Sequence, residues 1–424
     1  MTSTVLIPRL NAPTLRRLPN GLTIIAEQMP IEAVNLSLWV NVGSAVESDA
    51  INGMAHFLEH MVFKGTQRLC SGEFERLIEE RGAVTNAATS QDYTHYYITT
   101  APKDFAQLAP LQIDVVQNCI IPDDGFERER LVVLEEIRRS DDNPRRRTFQ
   151  RAMQTAFECL PYRRPVIGPA EVISQLTPQQ MRDFHQTWYQ PRSMTAVAVG
   201  NLPVEKLIEV ISDSVQTNTS QSIPQKYSPT NTSESPFTEI VRHEYVDESL
   251  QQARLVMVWR VPGLIQMEQT YALDVLAAIL GHGRTSRLVR ELREEKGLVS
   301  QISVSNMTQQ LQGVFYISAA LPIENIPVVE AAIAQHIQTI QTQPVQESEI
   351  ARIRTQVANR FIFGNETPSD RASLYGYYHS MVGDLEPAFE YPTKIQRVDA
   401  TDIVAAAQQH LSANAYGVVI HKPA

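Results

Sequence analysis

The chain has 424 residues, more than one ordinary hydrophobic core accommodates, so about two to four domains are expected. Its apolar fraction of 43% and mean hydropathy of −0.21 are those of a soluble globular chain. A net charge of −10 without long runs of one sign excludes a basic nucleic-acid-binding stripe and only faintly suggests basic substrates.

From the N-terminus, Arg9, Arg16 and Arg17 precede the first acid, Glu27. That composition faintly resembles an organelle transit peptide, but Pro8 and Pro13 break any amphipathic helix there, and a secretory apolar core is lacking. No apolar run of about 18 residues follows, so no membrane span is predicted. Cys70, Cys119 and Cys159 form neither a disulfide framework nor a metal knuckle. A reducing compartment fits, and the expected location is the cytoplasm.

Strands are predicted at Leu22–Glu27, Leu36–Val42, Val84–Thr89 and Met194–Val199, with counterparts at Leu255–Trp259, Val299–Val304, Val314–Ala319 and Tyr416–Ile420. Residues 216–237, rich in Ser, Thr, Asn and Pro, read as a linker between domains at 1–215 and 238–424. Two echoes relate these halves. ERLIEERGAVTNAATS and VRELREEKGLVSQISVS each run from a charged helix through a glycine (Gly82, Gly297) into a strand. LTPQQMRDFHQTWYQPRSMTAVAVG and VDATDIVAAAQQHLSANAYGVVI each pair a capped helix with an apolar strand. Shared order and similar separation indicate an internal duplication. The predicted class is α+β: two homologous halves, each a mostly antiparallel sheet with helices on one face.

Between Asn52, read as an N-cap, and Gly65, read as a stop, the sequence HFLEH lies in a helix. Met54, Phe57, Leu58, Met61 and Val62 form its apolar stripe. His56, Glu59 and His60 share another face, so two imidazoles can converge on one point with a carboxylate beside them. Zinc favours neutral imidazole nitrogens and a catalytic site leaves one position open; a carboxylate alongside can take a proton and return it to a leaving amine. The competing reading is a solvated polar face, yet a chain of this composition yields only about 0.015 HxxEH matches by chance. A third ligand is sought on the helix after Pro122. Phe126, Val133 and Ile137 mark its buried side, Glu129 and Glu136 border that stripe, and Glu135 points outward. Glu136 is the better ligand and Glu129 a partner behind one.

HFLEHMVFKGT, NAATSQDYTHYY, ERLVVLEEI and PYRRPVIG together resemble the pitrilysin-like metallopeptidases, whose HxxEH inverts the HExxH of other zinc peptidases. The likeness runs from Leu18 to the last strand and is greatest to the shorter-chain branch of mitochondrial processing peptidase and its bacterial relatives. It implies zinc on His56, His60 and Glu136, Glu59 as general base, and Glu129 as supporting acid. It also implies that a peptide adds as a strand along Asn86, Ala87 and Ala88. Phe57 and Phe63 are read as packing.

The second half puts Leu273, Leu276 and Ala277 where the HxxEH residues would be, and Arg360 opposite Glu136, so it should hold no metal. Complete family members carry there an Arg and a Tyr that reach the substrate carbonyl. Here Arg293 is present, but Ser300 stands in the tyrosine position. The resemblance therefore implies a zinc endopeptidase subunit in a clamshell heterodimer whose homologous partner supplies the Arg/Tyr pair. A homodimer, a structural subunit and a peptide-binding subunit remain alternatives.

Overall fold

The computed structural model describes residues 10–215 and 233–424. The strands are β1 (Thr14–Arg17), β2 (Thr23–Gln28), β3 (Val34–Val40), β4 (Val84–Thr89), β5 (Thr94–Thr100), β6 (Met194–Gly200), β7 (Val241–Val246), β8 (Ala253–Pro262), β9 (Gln301–Met307), β10 (Gln312–Leu321) and β11 (Gly417–Lys422). The first-half helices are α1 (Met54–Val62), α2 (Glu73–Glu79), α3 (Phe105–Asn118), α4 (Asp123–Asp141), α5 (Pro144–Ala156), α6 (Ala170–Ile173), α7 (Pro178–Trp188) and α8 (Val204–Ser214). The second half has α9 (Tyr271–Gly281), α10 (Ile326–Thr342), α11 (Glu347–Phe363), α12 (Pro368–Val382), α13 (Glu386–Arg397) and α14 (Ala400–His410). Val289–Glu295 is a π-helix where an ordinary helix was expected.

The duplication is visible in the sheets. The first has the order β1-β2-β6-β3-β5-β4 and the second β7-β11-β8-β10-β9. Remove β1, and the two orders superpose strand for strand. In each, the last strand of the half lies parallel to the first (β2 with β6, β7 with β11), and every other pairing is antiparallel. Both echoed glycines take positive φ, 64° at Gly82 and 60° at Gly297. Three strands carry too little apolar alternation to be read from sequence: β1 is wholly exposed, β5 is polar and aromatic, and β7 is mostly exposed and charged.

Helices cover both faces of each sheet, not one. The inner face of the first sheet packs with α1, α3 and α8 into one core. Its outer face, with Ile25, Trp39, Val197 and Val199, is covered by Ala372 and Tyr375 of α12. The outer face of the second sheet, with Val256, Val258 and Val419, is covered by Ala152, Met153 and Ala156 of α5. The halves thus exchange corresponding helices: α5 and α12 each begin with proline and each roofs the other half's sheet. α12 is seated by a buried ion pair, Arg371 to Glu27 of β2 at 3.0 Å, with the Tyr375 hydroxyl donating to the same carboxylate at 2.7 Å. It approaches so closely that a Cβ on Gly376 would lie 1.9 Å from Trp39 Nε1.

Residues 216–232 of the expected linker lie outside the described residues. Its last residues are docked, not free. The Glu234 carboxylate accepts from the N–H groups of Glu158, Cys159 and Leu160 and pairs with Arg260 at 3.2 Å. Asp92, after β4, ties the halves together as well: it accepts from Tyr162 Oη at 3.0 Å and from the N–H of Gln310, in the β9–β10 turn, at 3.1 Å.

Candidate metal centre

α1 is positioned by its stripe: Met54, Phe57, Leu58, Met61 and Val62 are all buried. Phe57, between the two histidines, stacks on Phe126 of α4 at 4.5 Å between ring centroids. This contact holds α1 against α4 and so brings their polar faces together. Phe63 stacks on Phe74, so both phenylalanines pack as expected. The N-terminus of α1 departs from expectation. Asn52 is not the cap; Gly53 is, at φ 96°, a backbone region that L side chains rarely adopt. The capping side chain comes from outside the helix. The buried Glu47 accepts from Gly53 N at 2.8 Å, Ala55 N at 2.7 Å and Asn52 Nδ2 at 2.9 Å. Burial raises its pKa to about 7 against these three bonds. The helix ends at Val62, three residues before Gly65.

His56 Nε2 lies 3.6 Å and His60 Nε2 3.5 Å from Glu136 Oε2, and the three ligand atoms all fall within 4.8 Å of one another. Bonds of about 2.0–2.2 Å at tetrahedral angles place ligand atoms ~3.3–3.6 Å apart, so this donor set fits a zinc ion. Among the described residues no other group of three or more His, Cys, Asp or Glu is arranged to hold a metal. Burial, then the charge of His60, lowers the His56 pKa to about 4, keeping that imidazole neutral as a ligand must be. At His60 burial also favours the neutral ring, but hydrogen bonds to Glu129 and Glu136 outweigh it and the pKa rises to about 9 without metal.

Glu129 stands behind His60. Its Oε1 accepts from Nδ1–H at 3.0 Å, and Lys64 Nζ holds Oε2 at 2.7 Å. That directs Nε2 toward Glu136 and selects the ligating tautomer. Lys64 was not singled out from sequence, although its place four residues after His60 on the same face signals it. Glu135 turns away, engaging Arg138 and Arg139.

Glu59 is half-buried, and Thr89 Oγ1 donates to its Oε2 at 2.5 Å. Burial raises its pKa, with Glu136 adding and Thr89 opposing. Thr89 was also missed; it is the last residue of β4. That strand ends the sheet order, so one edge carries no partner among the described residues. Asn86, Ala87 and Ala88 lie on it. The Ala87 N–H donates to Asn86 Oδ1 at 2.9 Å, outside the ladder with β5. The strand edge therefore leads to the carboxylate of Glu59.

Arg293 does not join this cluster. Its guanidinium is held by Glu294 at 2.7 Å, and among the described residues no hydrogen bond or ion pair links it to the ligands. Ser300 precedes β9 and donates to Gln252 Oε1 at 2.6 Å and to the Ala320 carbonyl at 3.1 Å. Leu273, Leu276 and Ala277 are buried.

Residues 22–170 match the insulinase family model, peptidase family M16, and residues 175–357 match the peptidase M16 inactive domain. The zinc protease PqqE of Helicobacter pylori is 28% identical, over 98% of this chain and 94% of that protein. An uncharacterized zinc protease of Rickettsia felis is 26% identical, over 96% and 97%. The crystal structure of a protease from Helicobacter pylori superposes with a TM-score of 0.91 at 27% identity, covering 98% of this chain and all of the other. The chain belongs to the insulinase/pitrilysin-like peptidase family M16.

Proposed function

We propose that the chain is a zinc endopeptidase acting on extended peptides or presequence-like segments, and the zinc-bearing subunit of a clamshell dimer. The observation that carries the reading is the meeting of His56 Nε2, His60 Nε2 and Glu136 Oε2 at one point, with Glu59 beside them at the end of an open strand edge.

His56, His60 and Glu136 would hold the ion, which when bound supplies Lewis-acid chemistry at the scissile carbonyl and its solvent. The chain's own residues do the rest. A peptide pairing along β4 is held by main-chain hydrogen bonds, which place no demand on sequence. Asn86 yields the Ala87 N–H to it, and the added strand runs toward Thr89. Glu59, one oxygen fixed by Thr89, takes a proton from the attacking water at its carboxylate and delivers it to the leaving nitrogen. Burial favours that protonated intermediate state of Glu59.

Arg293 and Ser300 support the need for a second chain. The arginine is engaged by Glu294, and the serine hydroxyl is short and occupied by Gln252 and Ala320. A homologous partner carrying the Arg/Tyr pair would supply the missing donor to the developing oxyanion, worth about 2.7–4 kcal/mol in such sites. The free thiols of Cys70, Cys119 and Cys159 suit a reducing compartment, and we place the protein in the cytoplasm.

The test has two parts. Glu59→Gln is expected to keep one zinc per chain and lose about 10²–10⁴-fold in cleavage; undiminished cleavage would remove Glu59 as the base, and binding without turnover in the wild type would leave a peptide-binding subunit. Sedimentation and peptide digests with and without the homologous chain then address the dimer. Full activity from this chain alone would refute the partner.

A further inference from the structure

A cavity of about 680 Å³ opens between the end of α4, the first turns of α5 and the segment 164–171. Its lining includes Ile137, the residue after Glu136 on α4, and Gln91, two residues beyond Thr89 at the end of β4, so the cavity lies where the open strand edge ends. The floor is apolar, with Ile137, Phe149, Met153 and Ile167. The rim carries four arginines, two of them satisfied: Arg147 pairs with Asp247 and Arg164 with Asp49. The other two have no carboxylate partner among the described residues. Arg145 reaches only the amide oxygen of Gln301, at 3.2 Å, and Arg146, which is exposed, makes no side-chain hydrogen bond or ion pair there. Asp141 and Glu171 also border the cavity, and neither pairs with them.

This placement of charge works against the local fold. Residues 145–147 occupy the first turn of α5, where the helix dipole favours acids over arginines. Arg145 also lies near Arg254 of β8, whose pKa is lowered by burial and by that like charge. Unpaired positive charge where the strand edge ends, over an apolar floor, calls for an anionic occupant with some aliphatic length.

Resting on the peptidase reading above, we infer that this cavity is a specificity subsite taking an acidic substrate side chain near the scissile bond, with Arg146 reading its carboxylate and the apolar floor receiving its methylenes. The inference runs opposite to the basic preference that a net charge of −10 faintly suggests, and it narrows the proposed substrates to extended peptides other than presequence-like segments, which are poor in acids.

A digest of a mixed peptide pool by the zinc-loaded protein, with its homologous partner present, should show cleavage sites enriched in Asp or Glu at one fixed position. Arg146→Glu should retain its zinc and shift that position toward Lys or Arg, with the acidic-to-basic ratio changing by roughly fivefold or more. Binding is read separately, by fluorescence anisotropy with the Glu59→Gln protein and peptides differing only by Glu, Gln or Lys. Glu is expected to bind best, and Arg146→Glu in that background to reverse the order. An unchanged ratio in the digest, or equal affinities in both backgrounds, overturns the proposal. Absence of cleavage together with a Glu preference that Arg146→Glu reverses would instead sink the peptidase reading and leave the acidic subsite standing.

Discussion

In the first half, α1 and α4 meet through His56, His60 and Glu136. In the second, α9 and α11 occupy the same places in the strand-and-helix order and bring Leu273, Ala277 and Arg360 to the corresponding positions. α9 is apolar on nearly every side, with Leu273, Val275, Leu276, Ala277, Ala278, Ile279 and Leu280 all buried. It has no polar face to offer, as expected of a helix packed all round. At position 274, matching Phe57, the half-buried Asp274 is satisfied by Asn306 at 2.8 Å and Tyr391 at 3.0 Å. A cavity of about 240 Å³ borders Asp274, Ala277 and Arg360, where the other half gathers its ligands. One backbone plan therefore serves two ends. Polar side chains converging between the helices make a candidate metal site, and apolar ones make a packed scaffold. The scaffold is not idle, because its α12 roofs the outer face of the first sheet.

The strongest way to break this comparison is to move one residue across it. Glu136→Arg gives the first half the residue found at position 360. Metal analysis is expected to fall from one zinc per chain to none, and cleavage by more than about a thousandfold, since several kcal/mol of charge stabilisation go with the ion. Retained zinc would show that Glu136 is not a ligand.

The exchanged helices allow a second test. α12 is held by the buried pair Arg371–Glu27, whereas α5 is held by the more exposed pair Arg147–Asp247. Arg371→Ala strands a buried carboxylate and should cost about 3–5 kcal/mol in urea unfolding. Arg147→Ala should cost about 1 kcal/mol or less. Similar losses would mean that the two roofs are held alike.

A smaller effect sharpens the account of the metal side. Glu129→Gln weakens the acceptor behind His60 without touching a ligand atom, and zinc affinity measured by chelator competition should drop about 10–100-fold. An unchanged affinity would reduce Glu129 to a surface partner of Lys64.

Much of the site was legible because it is local or periodic. The HxxEH helix declares its buried and polar faces by spacing. The seven-residue separation of Glu129 and Glu136 puts both on the flank of the stripe of α4, and the structure finds them engaging the same histidine, His60. What escaped was set by distant chain. Glu47 caps α1 from a preceding turn, Thr89 meets Glu59 from the end of a strand, and Asp92 reaches Gln310 in the other half. Short strands such as β1 and β7 carry little apolar pattern because their faces are largely exposed. Nothing in its spacing distinguishes Arg146; only the packing of α4 and α5 places it on a cavity.

The amino-acid sequence by itself determined the duplication, the three side chains able to hold a metal ion and their replacement in the second half, since each follows from residue type at helical or repeat spacing. Only the tertiary structure decided that α5 and α12 change places and that arginines at the start of α5 border a cavity beside α4. An apolar stripe states that a helix face must be buried, but the partner that buries it is chosen by long-range packing.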